Sequence, residues 1–268
     1  MQFDFLRTAF CHPRAHQLIQ AAFDGARSLD AIWMTQTPRH DAYVVLYGLG
    51  GSDRVRFANR DRLIAFDAGY WNRKGADRSF RVSVGGFHCP QMIMEGPRPG
   101  PERWNASRLA IRQAGNASGP ILLVGNGPKS NLVGASGWTA AKSAELRRTF
   151  PGRRVLYRPK PNKPIEHGID HDGTAEGHID DVLQHVSLVV CRHSNVAVDA
   201  CRLGVPVVCD DGAASAIYPK ELVDCDMQPS ADLREEFLHR LAWWQWQVAE
   251  FRNGTFWDWM TEVLRAIH

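Results

Sequence analysis

A polar turn in the C-terminal half of the sequence has the residue types that bind phosphate groups. His193, Ser194 and Asn195 follow the apolar run Leu188–Cys191, and the helical pattern Val196–Leu203 begins directly after them. The first N–H groups of a helix lack partners within the helix, and the helix dipole is positive at that end. The turn therefore predicts a site for a phosphate or diphosphate. The alternative is that Ser194 or Asn195 only caps the helix.

A second candidate for anion binding is the glycine-rich turn GNGPKS, which follows the apolar run Ile121–Val124. Glycine allows a close approach of the backbone to a ligand, and the side chains of Lys129 and Ser130 can meet an anion. The turn has neither the Walker spacing nor the Rossmann dinucleotide pattern. A tight connection from strand to helix would explain it equally well. The residues of this turn that we predict to bind are Gly125, Asn126, Gly127 and Lys129.

A third basic turn, PKPNKP, follows the predicted strand Arg154–Arg158. Its prolines keep the backbone extended, so the side chains of Arg158 and Lys160 leave it in defined directions. Arginine offers a fork for phosphate oxygens and lysine a point charge. A solvated basic loop is the alternative. Because ligands bind at the carboxyl ends of parallel strands, we expect the three turns to meet at one edge of a single sheet.

Carboxylates follow the last predicted strand, Val205–Cys209. Either Asp210 or Asp211 could accept hydrogen bonds from ribose or sugar hydroxyls, and we choose Asp210 as the candidate. An ordinary acidic turn is the alternative.

The loop HGIDHDGTAEGHIDD has the Asp-x-Asp form of some metal sites at Asp170 and Asp172. No strand leads into this loop, and its spacing matches no zinc pattern. We therefore predict no metal site.

The first half of the sequence offers fewer candidates. Gly50 and Arg54 lie in a glycine-rich stretch after the predicted strand Ala42–Tyr47 and could face a second substrate, as could His88. Asp67 and His88 lie at strand ends and are candidate general bases, of which we choose Asp67. Lone histidine or aspartate residues at such positions are more often structural.

Alternating strands and helices position these residues, which predicts an α/β fold with a parallel, doubly wound sheet. The Pro/Gly-rich stretch Met94–Trp104 breaks regular structure. We place one domain at residues 1–115 and a second, with the C-terminal helices, at 116–268. Further predicted strands are Leu63–Phe66 and Phe80–Val84. The predicted helices are 15–30, Asn105–Ala114, Trp138–Thr149, Ile179–His185, Val196–Leu203, Ala231–Glu250 and Phe256–Ile267.

Composition is typical of a globular protein of 268 residues, with 44% apolar and 23% charged residues. No apolar run approaches the ~18 residues of a membrane span, and the N-terminus has no signal-peptide pattern, so we expect a cytoplasmic protein without membrane insertion. Six cysteines without a C-x-x-C pair fit a reducing compartment. Residues 1–115 carry 16 basic and 10 acidic residues, against 16 and 19 in residues 116–268. A basic first half suits a polyanionic partner such as DNA, although chance would also produce it.

The order GNGPKS, RPKP and HSNVAVDACRLGVPVV resembles the donor-binding domain of GT-B glycosyltransferases over roughly residues 119–225. It is most similar to short glycosyltransferase-like proteins of phages and bacterial saccharide clusters. The resemblance implies two Rossmann-like domains facing a cleft, with an acceptor on the N-terminal domain. It implies that Ser194 and Asn195 meet the diphosphate of a nucleotide-sugar. Arg158 and Lys160 would neutralise the departing diphosphate.

The resemblance therefore predicts transfer of a sugar from a nucleotide-sugar to a hydroxyl group, with neither a metal nor a further cofactor. It identifies no base, and Asp67 is our own choice for that role. A hydroxymethylated pyrimidine in phage DNA is one acceptor that fits the basic first half, and a saccharide is the alternative. The competing hypothesis is a non-catalytic module that binds a nucleotide or nucleic acid on a degenerate transferase fold.

Overall fold

The computed structural model describes residues 1–7, 13–34, 37–48, 61–75, 77–86, 91–96, 98–127, 130, 134, 136–161, 163 and 166–267, without the side chains of Arg14 and Gln91. The chain divides into two compact units. Unit 1 comprises Met1–Gly100 and Arg240–His268, and unit 2 comprises Pro101–His239.

The described residues form strands and helices in an α/β order. The strands are β1 (Gln2–Leu6), β2 (Asp30–Met34), β3 (Tyr43–Tyr47), β4 (Leu63–Ala68), β5 (Ser79–Val84), β6 (Ile121–Val124), β7 (Val155–Arg158), β8 (Gly173–Thr174), β9 (Leu188–Cys191), β10 (Val207–Cys209) and β11 (Gln245–Gln247). The helices are α1 (Pro13–Gly25), α2 (Gln91–Glu95), α3 (Glu102–Ser107), α4 (Trp138–Thr149), α5 (Ile179–Leu183), α6 (Val196–Leu203), α7 (Ala231–Ala242), α8 (Val248–Arg252) and α9 (Thr255–Ile267).

Unit 1 is built on a sheet whose described strands have the order β11-β5-β4-β3-β1-β2. Strands β1 to β4 pair in parallel, β5 is antiparallel to β4, and β11 is antiparallel to β5. Trp246 of β11 lies opposite Phe80 and is 1% exposed. The single helix predicted over Ala231–Glu250 is therefore wrong: it ends at Ala242. Pairing with a strand distant in sequence overrides the local helical pattern.

The C-terminal helices pack within unit 1, although the sequence division grouped residues 240–268 with the second domain. Helix α9 buries Phe256, Trp257 and Leu264, and the Trp257 Nε1–H donates to the Ala22 carbonyl at 2.7 Å. The indoles of Trp243 and Trp246 also donate to backbone carbonyls, so these tryptophans serve packing. The hydrogen bond between Trp257 and Ala22 joins residues more than 200 positions apart in sequence, so local patterns do not predict that this segment packs in unit 1.

The sequence patterns do not predict the two N-terminal strands, β1 and β2. The predicted helix over residues 15–30 ends at Gly25, and strands β1 and β2 flank it. The helix predicted over Asn105–Ala114 is also wrong, because α3 ends at Ser107 and Arg108 adopts φ 58°. Beyond it the Arg112 and Ala114 N–H groups donate to the carbonyls of residues 202 and 203.

Unit 2 is built on a parallel sheet whose described strands have the order β10-β9-β6-β7-β8. Its core contains Ile121, Leu123, Val190 and Val208, with Leu146 packed on them from α4. The sequence predicted these central strands and α4 to within two residues. Because all strands run in one direction, the turns that follow β6, β7, β9 and β10 meet at one edge, which we call the carboxyl edge.

Candidate functional site

The carboxyl edge of unit 2 joins the turns after β6, β9 and β10 through side chains. The Ser130 hydroxyl lies 2.7 Å from His193 Nε2, and His193 Nδ1 lies 3.1 Å from Asp211 Oδ1. One side chain from each turn thus forms a continuous hydrogen-bonded row. The expectation that GNGPKS and the His193 turn lie together is confirmed by these contacts.

The turn after β7 lies against the turn after β6. A Cβ atom on Gly127 would stand 2.6 Å from Lys160 Cδ, and one on Gly125 would stand 2.4 Å from the Tyr157 hydroxyl oxygen. At Gly125 the obstacle to a larger residue is a ring that is 1% exposed, whereas at Gly127 it is the exposed side chain of Lys160. The glycines make space for two side chains of the same unit, whereas their predicted role is close approach to a ligand.

Glu166 holds the same two turns together, and the sequence did not single it out. Its Oε2 atom accepts hydrogen bonds from the Asn126 backbone N–H at 3.0 Å, the Thr139 hydroxyl at 2.9 Å and the Tyr157 hydroxyl at 3.3 Å. Burial, together with the adjacent Glu166 carboxylate, raises the pKa of Tyr157 to about 12. Tyr157 therefore stays a neutral donor to Glu166 at physiological pH.

The Arg158 guanidinium donates hydrogen bonds to the backbone of its own unit. Its Nη1 donates to the Ala175 carbonyl at 3.2 Å and its Nη2 to the Gly177 carbonyl at 2.9 Å. These bonds hold the segment after β8 beside β7. A guanidinium has five N–H donors, so contact with an anion remains geometrically allowed. Lys160, by contrast, is exposed at the carboxyl edge.

The first N–H groups of helix α6 have hydrogen-bond partners, although the sequence predicted that they are unpaired. The Val196 N–H donates to the Ser194 hydroxyl at 3.3 Å, and the Ala197 and Val198 N–H groups donate to the carbonyls of Ser194 and Asn195. The Asn195 side chain makes no capping bond. Ser194 thus caps the helix, as the alternative interpretation held. What this end still offers an anion is its positive dipole.

The two carboxylates after β10 face different surroundings. The Trp138 indole N–H donates to Asp210 Oδ2, and Asp210 Oδ1 is buried without a hydrogen-bond partner among the described residues. Burial accordingly raises the pKa of Asp210. Asp211 is 42% exposed at its side chain. Both oxygens of Asp211 have partners, in His193 and Arg192, and our choice of Asp210 as a ligand-binding residue stays a prediction.

The Asp-x-Asp string binds an arginine. Arg147 Nη2 donates to Asp170 Oδ1 at 3.0 Å, and Arg147 Nη1 donates to Asp172 Oδ2 at 3.0 Å. These hydrogen bonds with Arg147, followed by one from the Val155 N–H, lower the pKa of Asp172. Within the described ranges no group of three or more His, Cys, Asp or Glu residues could hold a metal ion.

Asp67, the predicted base, lies in unit 1 at the end of β4. Its Oδ2 lies 3.2 Å from Arg81 Nη2, and its Oδ1 accepts the N–H of Ala68 at 2.8 Å. Both oxygens of this carboxylate thus have partners in unit 1, and the role of Asp67 as a general base stays a prediction. The predicted site residues Gly50, Arg54, His88 and Lys129 lie outside the described residues.

Comparison with solved structures identifies the fold. The β-Kdo 2,7-transferase of Thermosulfurimonas dismutans KpsC aligns with a TM-score of 0.57 over 95% of this chain and 99% of that chain, at 12% identity. The β-Kdo 2,4-transferase of the same protein aligns with a TM-score of 0.51 over 91% of each chain, at 11% identity. The chain has the GT-B glycosyltransferase fold.

The remaining comparisons show neither a family nor an activity for this chain. The rhamnosyltransferase SpnG in complex with thymidine diphosphate aligns over 92% of this chain and 67% of that chain at 16% identity, with a TM-score of only 0.28. No protein-family model matches the sequence, and no curated protein matches it. Across the described parts of the chain, every helix is too short or too polar to cross a membrane.

Proposed function

We propose that this GT-B chain transfers a glycosyl group from a nucleotide-sugar to a hydroxyl acceptor. The observation that carries the proposal is the meeting of the turns after β6, β7, β9 and β10 at the carboxyl edge of unit 2. In open α/β sheets this edge is where ligands bind. Lys160 supplies an exposed cationic side chain at this edge, and Arg192 adds a guanidinium on the turn after β9.

In this proposal the donor diphosphate lies on the carboxyl edge beside Lys160 and the start of α6. When the bond to the sugar breaks, negative charge develops on the departing diphosphate. The cation of Lys160 and the helix dipole stabilise that charge and so lower the barrier. Arg158 contributes mainly by holding the segment around Ala175 and Gly177, and Lys160 by direct contact.

For the acceptor we propose a saccharide hydroxyl. The DNA hypothesis depended on the basic first half of the sequence, but the structural units differ less in charge. Unit 1 carries 16 basic and 12 acidic residues, and unit 2 carries 16 and 17. If DNA is the acceptor, its affinity for the protein will fall steeply with salt, because neutralised phosphates release counterions.

The test is binding of the four ribonucleoside mono- and diphosphates by calorimetry, followed by release of sugar from the matching nucleotide-sugars. We expect one base to be preferred and its nucleotide-sugar to be turned over when a saccharide mixture is present. Nucleotide binding without turnover on saccharide or DNA would favour the non-catalytic module. Absence of any nucleotide binding would overturn the proposal.

We expect Lys160→Ala to remove a contact with the nucleotide, and Arg158→Ala to loosen the segment around Ala175 and Gly177. The lysine variant should weaken nucleotide binding by roughly 1–3 kcal/mol, the usual loss for a bond to a charged group, with little change in melting temperature. The arginine variant should lower the melting temperature, because two backbone carbonyls lose their donor. Calorimetry and thermal unfolding of both variants test this, and Lys163→Ala on the same loop is the control. Equal effects of the two substitutions on both measurements would contradict the division of roles.

A further inference from the structure

Three groups from different segments of unit 2 donate to one oxygen of Glu166. The donors are the Asn126 backbone N–H after β6, the Thr139 hydroxyl in the first turn of α4 and the Tyr157 hydroxyl of β7. Asn126 is 6% exposed, and Thr139 and Tyr157 are each 1% exposed. Because burial removes these donors from water, each needs an acceptor inside the protein. Glu166 therefore joins the turn after β6 to α4 and to β7.

The three donors satisfy the Glu166 oxygen without cancelling the charge of its carboxylate. A backbone N–H and two hydroxyl groups carry no net charge, and a pKa of about 12 keeps the Tyr157 hydroxyl neutral. A glutamine side chain would offer an acceptor oxygen with the same reach. The hydrogen bonds alone thus do not require a carboxylate at this position. The negative charge is a separate property of the residue, and it has its own effect on an anionic ligand.

A cation and an anion contact consecutive residues of the turn after β6. Glu166 accepts a hydrogen bond from the Asn126 N–H. At the next residue, a Cβ atom on Gly127 would stand 3.2 Å from Lys160 Nζ. A phosphate that binds beside Lys160 therefore also experiences the Glu166 charge. At a separation of about 10 Å in water, repulsion between one unit charge and a phosphate group with one or two charges changes a binding constant about two- to fourfold.

We propose that Glu166 sets the affinity of the carboxyl edge for nucleotides through two opposing effects. Its oxygen positions the turn around Asn126, and its negative charge repels the phosphates of the nucleotide. Glu166 is thus a positioning residue that acts without touching the substrate. The repulsion favours release of the nucleoside diphosphate that remains after sugar transfer. The inference rests on the proposed function, because it requires a nucleotide at the carboxyl edge.

Glu166→Gln and Glu166→Asp separate the two effects, and calorimetry with UDP, CDP, ADP and GDP measures them. Glutamine keeps the acceptor oxygen and loses the charge, so this variant should bind the preferred nucleotide about two- to fourfold more tightly than the wild type at low salt. Aspartate keeps the charge but is one methylene shorter. It should bind the same nucleotide more weakly than the wild type, because the Asn126 N–H loses its acceptor. A merely structural role would instead predict weaker binding by both variants.

Salt and ligand charge distinguish repulsion from a change in the shape of the site. The gain in Glu166→Gln should be present at about 0.01 M salt and absent at about 1 M, where charges are screened within about 3 Å. It should also be smaller for the nucleoside monophosphate than for the diphosphate. Glu235→Gln is the matched control, because it removes one charge from α7, where the Glu235 side chain is 58% exposed. This control should bind nucleotides as the wild type does.

If Glu166→Asp does not fold, Thr139→Val replaces it, since it removes one donor to Glu166 and the acceptor of the Asn126 side-chain amide while the charge stays in place. It should likewise weaken nucleotide binding.

The inference alone is overturned if the wild type binds nucleotides and Glu166→Gln shows no gain at low salt, or a gain that persists at high salt. Wild-type affinity in Glu166→Asp, or in Thr139→Val where that variant replaces it, would overturn the positioning role and the inference with it. If the wild type binds no nucleotide, the proposed function itself fails, and the inference fails with it.

Discussion

Replacing Gly125 with alanine is expected to destabilise unit 2 by about 1–3 kcal/mol, the usual cost of overpacking, and to weaken nucleotide binding. The added Cβ would lie 2.4 Å from the Tyr157 hydroxyl oxygen and 2.9 Å from a carbon of its ring. Tyr157 is 1% exposed, so its ring has little freedom to move away. A shift of the ring would also weaken the bond from Tyr157 to Glu166, the carboxylate that accepts from the Asn126 N–H.

Gly127→Ala is the matched control for this prediction. Its Cβ would meet the middle of the Lys160 side chain, which is flexible and exposed and can turn away. The control should therefore cost less in urea unfolding than Gly125→Ala. Tyr157→Leu should recover part of the loss in the Gly125→Ala background, giving a non-additive double-mutant cycle. Additive effects of the two substitutions would contradict the steric explanation.

Arg39→Ala is expected to destabilise unit 1 by about 3 kcal/mol, because it leaves a buried carboxylate without its charged partner. Asp4 is 0% exposed and its Oδ1 accepts from Arg39 Nε at 2.7 Å, while Oδ2 accepts from the Arg39 backbone N–H at 2.6 Å. The Arg39 side chain is 28% exposed, which places the effect at the lower end of the range for buried pairs. Urea unfolding of the variant gives the measurement.

Arg62→Ala provides the comparison for an exposed pair. Arg62 lies 4.0 Å from Asp41, whose side chain is 71% exposed. Surface ion pairs of this kind contribute about 0–1 kcal/mol. If the Arg39 and Arg62 variants unfold at the same urea concentration, Asp4 tolerates burial without its partner and the prediction is wrong.

The sequence predicted unit 2 better than unit 1 for a physical reason. Buried parallel strands such as β6 and β9 are continuous apolar runs bounded by turns, so their pattern is local. Unit 1 contains β11, which is three residues long and pairs with β5 more than 160 residues earlier. A strand that depends on a distant partner carries little local signal, and the Ala231–Glu250 stretch was predicted as one helix.

The candidate site was predicted in its location but not in its detailed contacts. Polar residues after Val124, Arg158 and Cys191 had to share an edge once the strands were parallel. Which side chains face outward was not a local property. Arg158 donates to Ala175 and Gly177, contacts made by a segment that the pattern assigned to a loop.

By itself, then, the amino-acid sequence determined the α/β class, the central strands of unit 2 with helix α4, and the clustering of its polar turns, because these follow from apolar periodicity and chain direction. The tertiary structure decided that the C-terminal helices pack in unit 1, that Glu166 accepts a hydrogen bond from the Asn126 N–H, and that Trp138 donates to Asp210. Each of these depends on a contact between segments well separated along the chain, such as Trp138 with Asp210. Local sequence patterns do not predict such contacts, because the contacts form only when the sheet brings the segments together.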